Sequence, residues 1–303
     1  MQALSYPNHV VPRLSVDDVA LTKDTVANIN RAQIARPGTF VAKTYWDVVE
    51  TLADMLEILE IRSSDIQDRD RRHRSVLRLS EILMLRCTSL SDYLGQLLTA
   101  CAPSGVDNEL KQCRHAIAER LGRNVRVPIN KTKHDGFTLA PIVLTNGMAS
   151  VPGFVVYGPL QDGLSGPLSF SRKHGAGTPE GFSLPLFMRQ VLANIFAMTD
   201  IARDQLTRWG SIDTSPNPAL AQNPNVERVA SLSGILDRLN AQPFYGFEGE
   251  HGIRSPKFLI AEDTLYMQSA QTKRLRGKVI VNFQLPYVHA GAKFQMPYWK
   301  GSC

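Results

Sequence analysis

Hydrophobic positions recur at three- and four-residue spacing over the first third of the chain. Val41, Tyr45, Val48, Val49, Leu52, Met55, Leu56 and Leu59 form one such series from Thr39 onward. Val76, Leu79, Leu83, Cys87, Leu90, Leu94, Leu97, Leu98 and Cys101 form a second, in a segment running from Arg69 to Cys101. This spacing keeps apolar side chains on one face of an α-helix and predicts two long amphipathic helices. A third helix is expected to open at Asp107 or Asn108 as its N-cap, with Leu110, Cys113, Ile117 and Leu121 on its buried face and Gly122 as its stop. Amphipathic helices joined by short connections predict an antiparallel bundle.

The pattern changes after Pro128. The segment "FTLAPIVLTNGMASVPGFVVYGPL" holds two apolar runs of β type around Asn146-Gly147, which is a hairpin signal. A helix is expected after Ser183, with Leu184, Phe187, Val191, Ile195, Met198, Ala202 and Leu206 buried, and a shorter one from Val226 to Leu239. The tail, "KFLIAEDTLYMQSAQTKRLRGKVIVNFQL", reads as two or three antiparallel strands. Strands at both ends of this half with helices between them predict a sheet that unites distant segments. The expected fold class is therefore α+β: an N-terminal antiparallel helical bundle, then a mixed half with an antiparallel sheet and two helices. The expected divisions are an arm or a short helix capped by Ser15 over 1–38, the bundle over 39–127 and an α+β domain over 128–303.

Composition narrows the class. The chain has 303 residues, 43% hydrophobic and 20% charged, which is the balance of a globular protein. It contains no apolar run of about 18 residues, so no transmembrane helix is expected. The N-terminal residues lack the basic-then-apolar pattern of a signal peptide. Cys87, Cys101 and Cys113 fall on the apolar faces of helices, and the four cysteines form no CxxC pair. They read as small buried hydrophobes of a reducing compartment, so the expected location is cytoplasmic and no metal or cofactor is expected.

Net charge is +6, which suits a polyanionic partner. The cations are clustered. The stretch "RNVRVPINKTKHDGF" carries Arg123, Arg126, Lys131 and Lys133 beside His134. Histidine can act as a general acid or base near neutral pH, and Arg or Lys can hold a phosphate. These are the groups needed when RNA is cleaved by its own 2′-hydroxyl, and cationic neighbours would keep His134 neutral. The same residues also fit a solvated turn, since Asp135-Gly136 is an ordinary turn pair. Pro128 is expected to interrupt any helix here.

An arginine followed by a histidine at the exit of a helical bundle resembles the HEPN family, whose name abbreviates "higher eukaryote and prokaryote nucleotide-binding". The resemblance covers residues 40–135. Seven residues separate Arg126 from His134, against four to six in the family motif. The resemblance implies a metal-independent ribonuclease of a bacterial toxin or phage-defence system, with Arg126 and His134 as its catalytic residues.

Three further clusters are candidate phosphate contacts. Arg71, Arg74 and Arg78 would share one helix face, although Asp65, Asp68 and Asp70 can pair with arginines there. Arg172 and Lys173 lie beside glycines that could form an anion nest. The run from Lys273 to Lys278 fits a charged hairpin tip. Glu248, Glu250 and His251 lie together in a glycine-rich stretch that reads as a loop rather than a metal cage. HExxH, GxSxG and P-loop motifs are absent. Two function classes remain. One is a nucleic-acid-binding protein, with RNA as the expected ligand and Arg71, Arg74, Arg78, Lys131, Lys133, Arg172 and Lys173 as its contacts. The other is a non-catalytic sensor or assembly subunit that binds a protein partner through the β-rich half; either is compatible with a homo-oligomer.

Overall fold

The computed structural model describes residues 4–7, 37–61, 65–146, 149–160, 165–168, 181–211, 234–235, 238–239, 257–261, 264–268, 279–285 and 288–294. Its helices are α1 (Pro37–Glu60), α2 (Ile66–Cys101), α3 (Asp107–Arg120), α4 (Gly122–His134) and α5 (Leu184–Arg208). Its strands are β1 (Leu4–Pro7), β2 (Thr138–Asn146), β3 (Ala149–Pro159), β4 (Ser165–Pro167), β5 (Gly181–Ser183), β6 (Lys257–Ala261), β7 (Thr264–Gln268), β8 (Val279–Leu285) and β9 (Val288–Phe294). The class is α+β, with helices first and antiparallel sheet after.

The helical faces are those the spacing predicts. Val41, Tyr45, Val48, Val49, Leu52, Met55 and Leu56 of α1 are buried, as are Val76, Leu83, Cys87, Leu90, Leu94, Leu97, Leu98 and Cys101 of α2. The second helix starts earlier than expected, because Asp65 caps it by accepting a hydrogen bond from the Gln67 amide at 2.9 Å. On α3 the cap is Val106 rather than Asp107 or Asn108, and it makes no side-chain hydrogen bond to the helix.

Gly122 does not end the helical region. It opens α4, which runs through Pro128 to His134. An interior proline removes one helical hydrogen bond and costs about 3 kcal/mol where nothing offsets it. Here Val125, Pro128 and Ile129 form the buried face of the helix, and their burial supplies the offset. The expected boundary between 127 and 128 thus falls inside a helix. One hydrophobic cluster runs from Val41 through α2, α4, β2, β3 and α5 to Leu239.

The main sheet has six strands in the order β4-β3-β2-β8-β9, with β5 paired to β3, and every pairing is antiparallel. Asn146 lies opposite Ala149, as the Asn-Gly signal predicts for a β2–β3 hairpin. The tail segment 257–285 supplies three strands, β6, β7 and β8, within the expected two or three; β9 follows it, and β8 inserts beside β2 so that Ile142 faces Phe283. The other pair, β6 and β7, joins β1 from the N-terminal arm in a separate three-stranded sheet. Helix α5 packs on β3 and also on α2 and α3. Phe154 of β3 stacks on Phe182, with centroids 4.8 Å apart, and meets Phe187 of α5 edge-on at 5.3 Å. Of the expected helix Val226–Leu239, residues 234–235 and 238–239 are helical, and Arg238 grips Glu60 at the end of α1 through both carboxylate oxygens. The Ser15 helix lies outside the described residues.

Candidate nucleic-acid interface

Because α4 is continuous, the stretch from Arg126 to His134 has two sides. Val125, Pro128 and Ile129 face the core, while Arg126, Asn130, Lys133 and His134 are exposed. Lys131 is already engaged. Its Nζ pairs with the Asp135 carboxylate four residues on and sits 5.5 Å from the centre of the Phe137 ring. The Asp135 and Phe137 amides both donate to the Lys131 carbonyl, at 3.0 and 3.3 Å. Lys131 therefore stands at the end of α4, its carbonyl receiving the chain as it turns toward β2 and its ammonium in a part-exposed ion pair.

Arg126 and Lys133 point to a different partner. They are seven residues apart, close to two turns, so they share one side of α4. Both act on the carboxyl of Asp92 on α2, and so does Arg114 on α3. Partial loss of water raises the pKa of Asp92, and Lys133, Arg114 and Arg126 pull it back down. Arg114 lies across α2 where Gly95 leaves room: a Cβ on Gly95 would come within 3.3 Å of the Arg114 Nε. Three exposed cations from two helices thus stand near enough to the exposed Asp92 to act on its charge.

The basic segment of α2 divides in the same way. Arg72 is paired along the helix with Asp68, at 2.8 Å from Nε and 2.6 Å from a terminal nitrogen. His73 turns inward and its Nε2 donates to the Gly153 carbonyl of β3 at 2.8 Å. Burial lowers the pKa of His73, against the Gly153 hydrogen bond and the nearby Asp70, which raise it. Arg71, Arg74 and Arg78 remain exposed on one face, and the Arg74 Nε donates to the Asp70 carbonyl at 3.4 Å.

Arg172 and Lys173 lie outside the described residues, as do the run 273–278 and Glu248, Glu250 and His251. Among the described residues, no group of three His, Cys, Asp or Glu side chains is placed to hold a metal ion. Among them too, no helix is long and apolar enough to cross a membrane. Cys87, Cys101 and Cys113 are buried free thiols.

Sequence reasoning missed Arg114 and Asp92. Each looks like an ordinary helix surface residue until α3 and α4 are docked on α2. The available signal was Gly95, a glycine inside a long helix whose neighbours are large, which marks a close approach by another group. Comparisons with protein-family models, with curated proteins and with solved structures return no match.

Proposed function

We propose that the chain binds nucleic acid, with RNA as the ligand, through phosphate contacts along the exposed face of α2. The observation that carries this reading is the gathering of exposed cations at the two ends of that face. Arg71, Arg74 and Arg78 stand at one end, and Arg114, Arg126 and Lys133 gather round Asp92 at the other. From Arg71 to Asp92 the helix rises about 32 Å, a span that fits a chain of phosphates rather than one small anion.

The geometry favours binding over cleavage. Arg126 and His134 lie eight residues apart on one helix, about 12 Å along its axis. Helical side chains lean toward the N-terminus, so His134 leans toward Asn130 while Arg126 leans away from it. A phosphate held by Arg126 is then beyond hydrogen-bond reach of His134 in the same chain, and proton transfer needs that reach.

The test is the salt dependence of affinity for a short labelled RNA. Each phosphate contact contributes about 0.7 to 0.9 to the slope of log affinity against log salt. Changing Arg71, Arg74 and Arg78 together to Ala should lower the slope by about 2. No binding at low salt, or an unchanged slope in the variant, would overturn the reading. His134→Ala should bind RNA as the wild type does.

A further inference from the structure

The face of α2 between the two cation groups carries exposed apolar side chains among the part-buried Glu81 and Ser89. Ile82 and Leu85 are 40% and 36% exposed there. At about 3.6 residues per turn, Arg71, Arg74, Arg78, Ile82 and Leu85 fall within about 80° of the helix circumference. One turn or two further on, the same face is flanked by Asp92 on one side and Tyr93 on the other. The Asp92 side is where Arg114, Arg126 and Lys133 gather. On the Tyr93 side stands Phe40, from the first turn of α1, 40% exposed. The Phe40 and Tyr93 rings are paired, with centroids 5.2 Å apart and planes tilted by 38°.

Cations alone would suit any polyanion, duplex or single strand. Phe40, Ile82 and Leu85 left exposed beside them, with half-buried Tyr93 against Phe40, call for something more, because a duplex keeps its base faces stacked inside. A single strand presents those faces, and a base of any identity can lie on an aromatic ring. Charge complementarity argues for the same occupant. Six cations flank this face, against Asp92 beside one group and Asp70 and Glu81 beside the other, so the face carries net positive charge and suits a chain of negative charge.

We infer that this face of α2 is a track for single-stranded nucleic acid: Arg71, Arg74, Arg78, Arg114, Arg126 and Lys133 take the phosphates, and Phe40 and Tyr93 take unstacked bases. The inference rests on the phosphate-binding reading above and adds the strandedness of the ligand. Ile82 and Leu85 form the apolar floor between the two ends.

The experiment compares four labelled or competing probes on the full chain by fluorescence anisotropy: a single-stranded RNA, its blunt duplex, an abasic strand of the same length, and poly-glutamate of equal charge. Expected is tighter binding of the single strand than of the duplex, and a loss of roughly tenfold or more when the bases are removed, which is the scale of one or two base–aromatic stacks. Poly-glutamate should compete weakly. The double change Phe40→Leu, Tyr93→Leu keeps apolar bulk, and should lower single-strand affinity by a similar factor while leaving the duplex unaffected. The abasic strand keeps the test sound if that variant fails to fold. Equal affinity for the abasic strand, for the duplex or for poly-glutamate would overturn the stacking inference and leave phosphate binding standing. Absence of binding to every probe at low salt would remove both.

Discussion

His73 fastens the second helix to the sheet, and its replacement should show how strongly. The Nε2 hydrogen bond to the Gly153 carbonyl, 2.8 Å long, joins α2 to β3 at a residue 80 positions away in sequence. Gly153 is buried and paired with both Ile142 and Ser183, so its carbonyl is held in place whether or not His73 is there. Taking away the donor costs more than the net worth of about 1 kcal/mol of a hydrogen bond, because the buried carbonyl loses a partner, and such losses run to about 1–3 kcal/mol. We expect His73→Ala to destabilise by about 2 kcal/mol. With a urea slope near 3 kcal/mol per molar, the midpoint should fall by about 0.7 M. His73→Gln can present an amide nitrogen close to where Nε2 stood, and should recover about half of the loss. An unchanged midpoint in His73→Ala would refute the argument. So would equal midpoints for Ala and Gln, which would put the whole effect on ring packing.

The same residue sets a pH dependence whose sign can be worked out. Burial holds the His73 pKa below its ordinary value, and in the unfolded chain it titrates near 6.5. Below that pH the unfolded state takes up a proton that the folded state refuses. The contribution of His73 is therefore fully present above about pH 6.5 and declines as pH falls toward the folded value. The difference in stability between wild type and His73→Gln should shrink over that window, with other titrating groups cancelling in the difference. A difference that stays constant from pH 7.5 to 5 would show that the imidazole is not shielded from water.

Three further outcomes are expected. Gly158→Ala should destabilise by about 2 kcal/mol in a thermal melt, since a Cβ there would lie 2.6 Å from the Phe137 ring and 2.9 Å from its Cα; an unchanged melting temperature would mean that Phe137 yields freely. Asp92→Asn removes the carboxylate that competes with phosphate for Arg114, Arg126 and Lys133, and should raise RNA affinity by roughly three- to tenfold at low salt; unchanged or weaker binding would separate those cations from the ligand. Burial pushes the Cys87 and Cys101 thiols up to about 12, so both should resist alkylation at pH 8 until the chain is unfolded, as read by mass spectrometry; labelling in the native state would contradict the packing of α2.

What the sequence disclosed and what it withheld follow from the range of the interactions. The buried faces of α1, α2 and α5 were legible because a helix repeats every few residues, so Leu52 and Leu56, or Val191 and Ile195, reveal their shared side without reference to anything else. The β2–β3 hairpin was legible for the same reason, through Asn146-Gly147. The pairing of β2 with β8 joins residues more than a hundred positions apart, and nothing local specifies it. Pro128 was misleading because proline's helix cost is a local quantity, whereas the burial that offsets it depends on the docked core. That misreading concealed a second feature: Lys131 and Asp135 stand at the four-residue spacing of a helical ion pair, which has meaning only if the helix continues. His73 was hidden among charged neighbours, of which Asp70, Arg71 and Arg74 are exposed while its own ring turns to the sheet.

The segment that joins the helical region to the sheet is therefore not a spacer. One side of α4 is part of the same buried cluster that holds Leu94, Phe154 and Ile195, and its other side carries Arg126 and Lys133 toward α2. Cations on a slack linker would have to be ordered when a polyanion bound, at a cost in conformational entropy for each long side chain and for the backbone beneath it. Mounted on a helix pinned by Val125, Pro128 and Ile129, they keep their backbone positions before any ligand arrives, and only the side-chain ends remain to be fixed. Arg114 gains the same advantage from the space above Gly95, where its stem lies against α2. The cation group beside Asp92 is thus built by packing, and its spacing from Arg71, Arg74 and Arg78 is set by the length of a single helix.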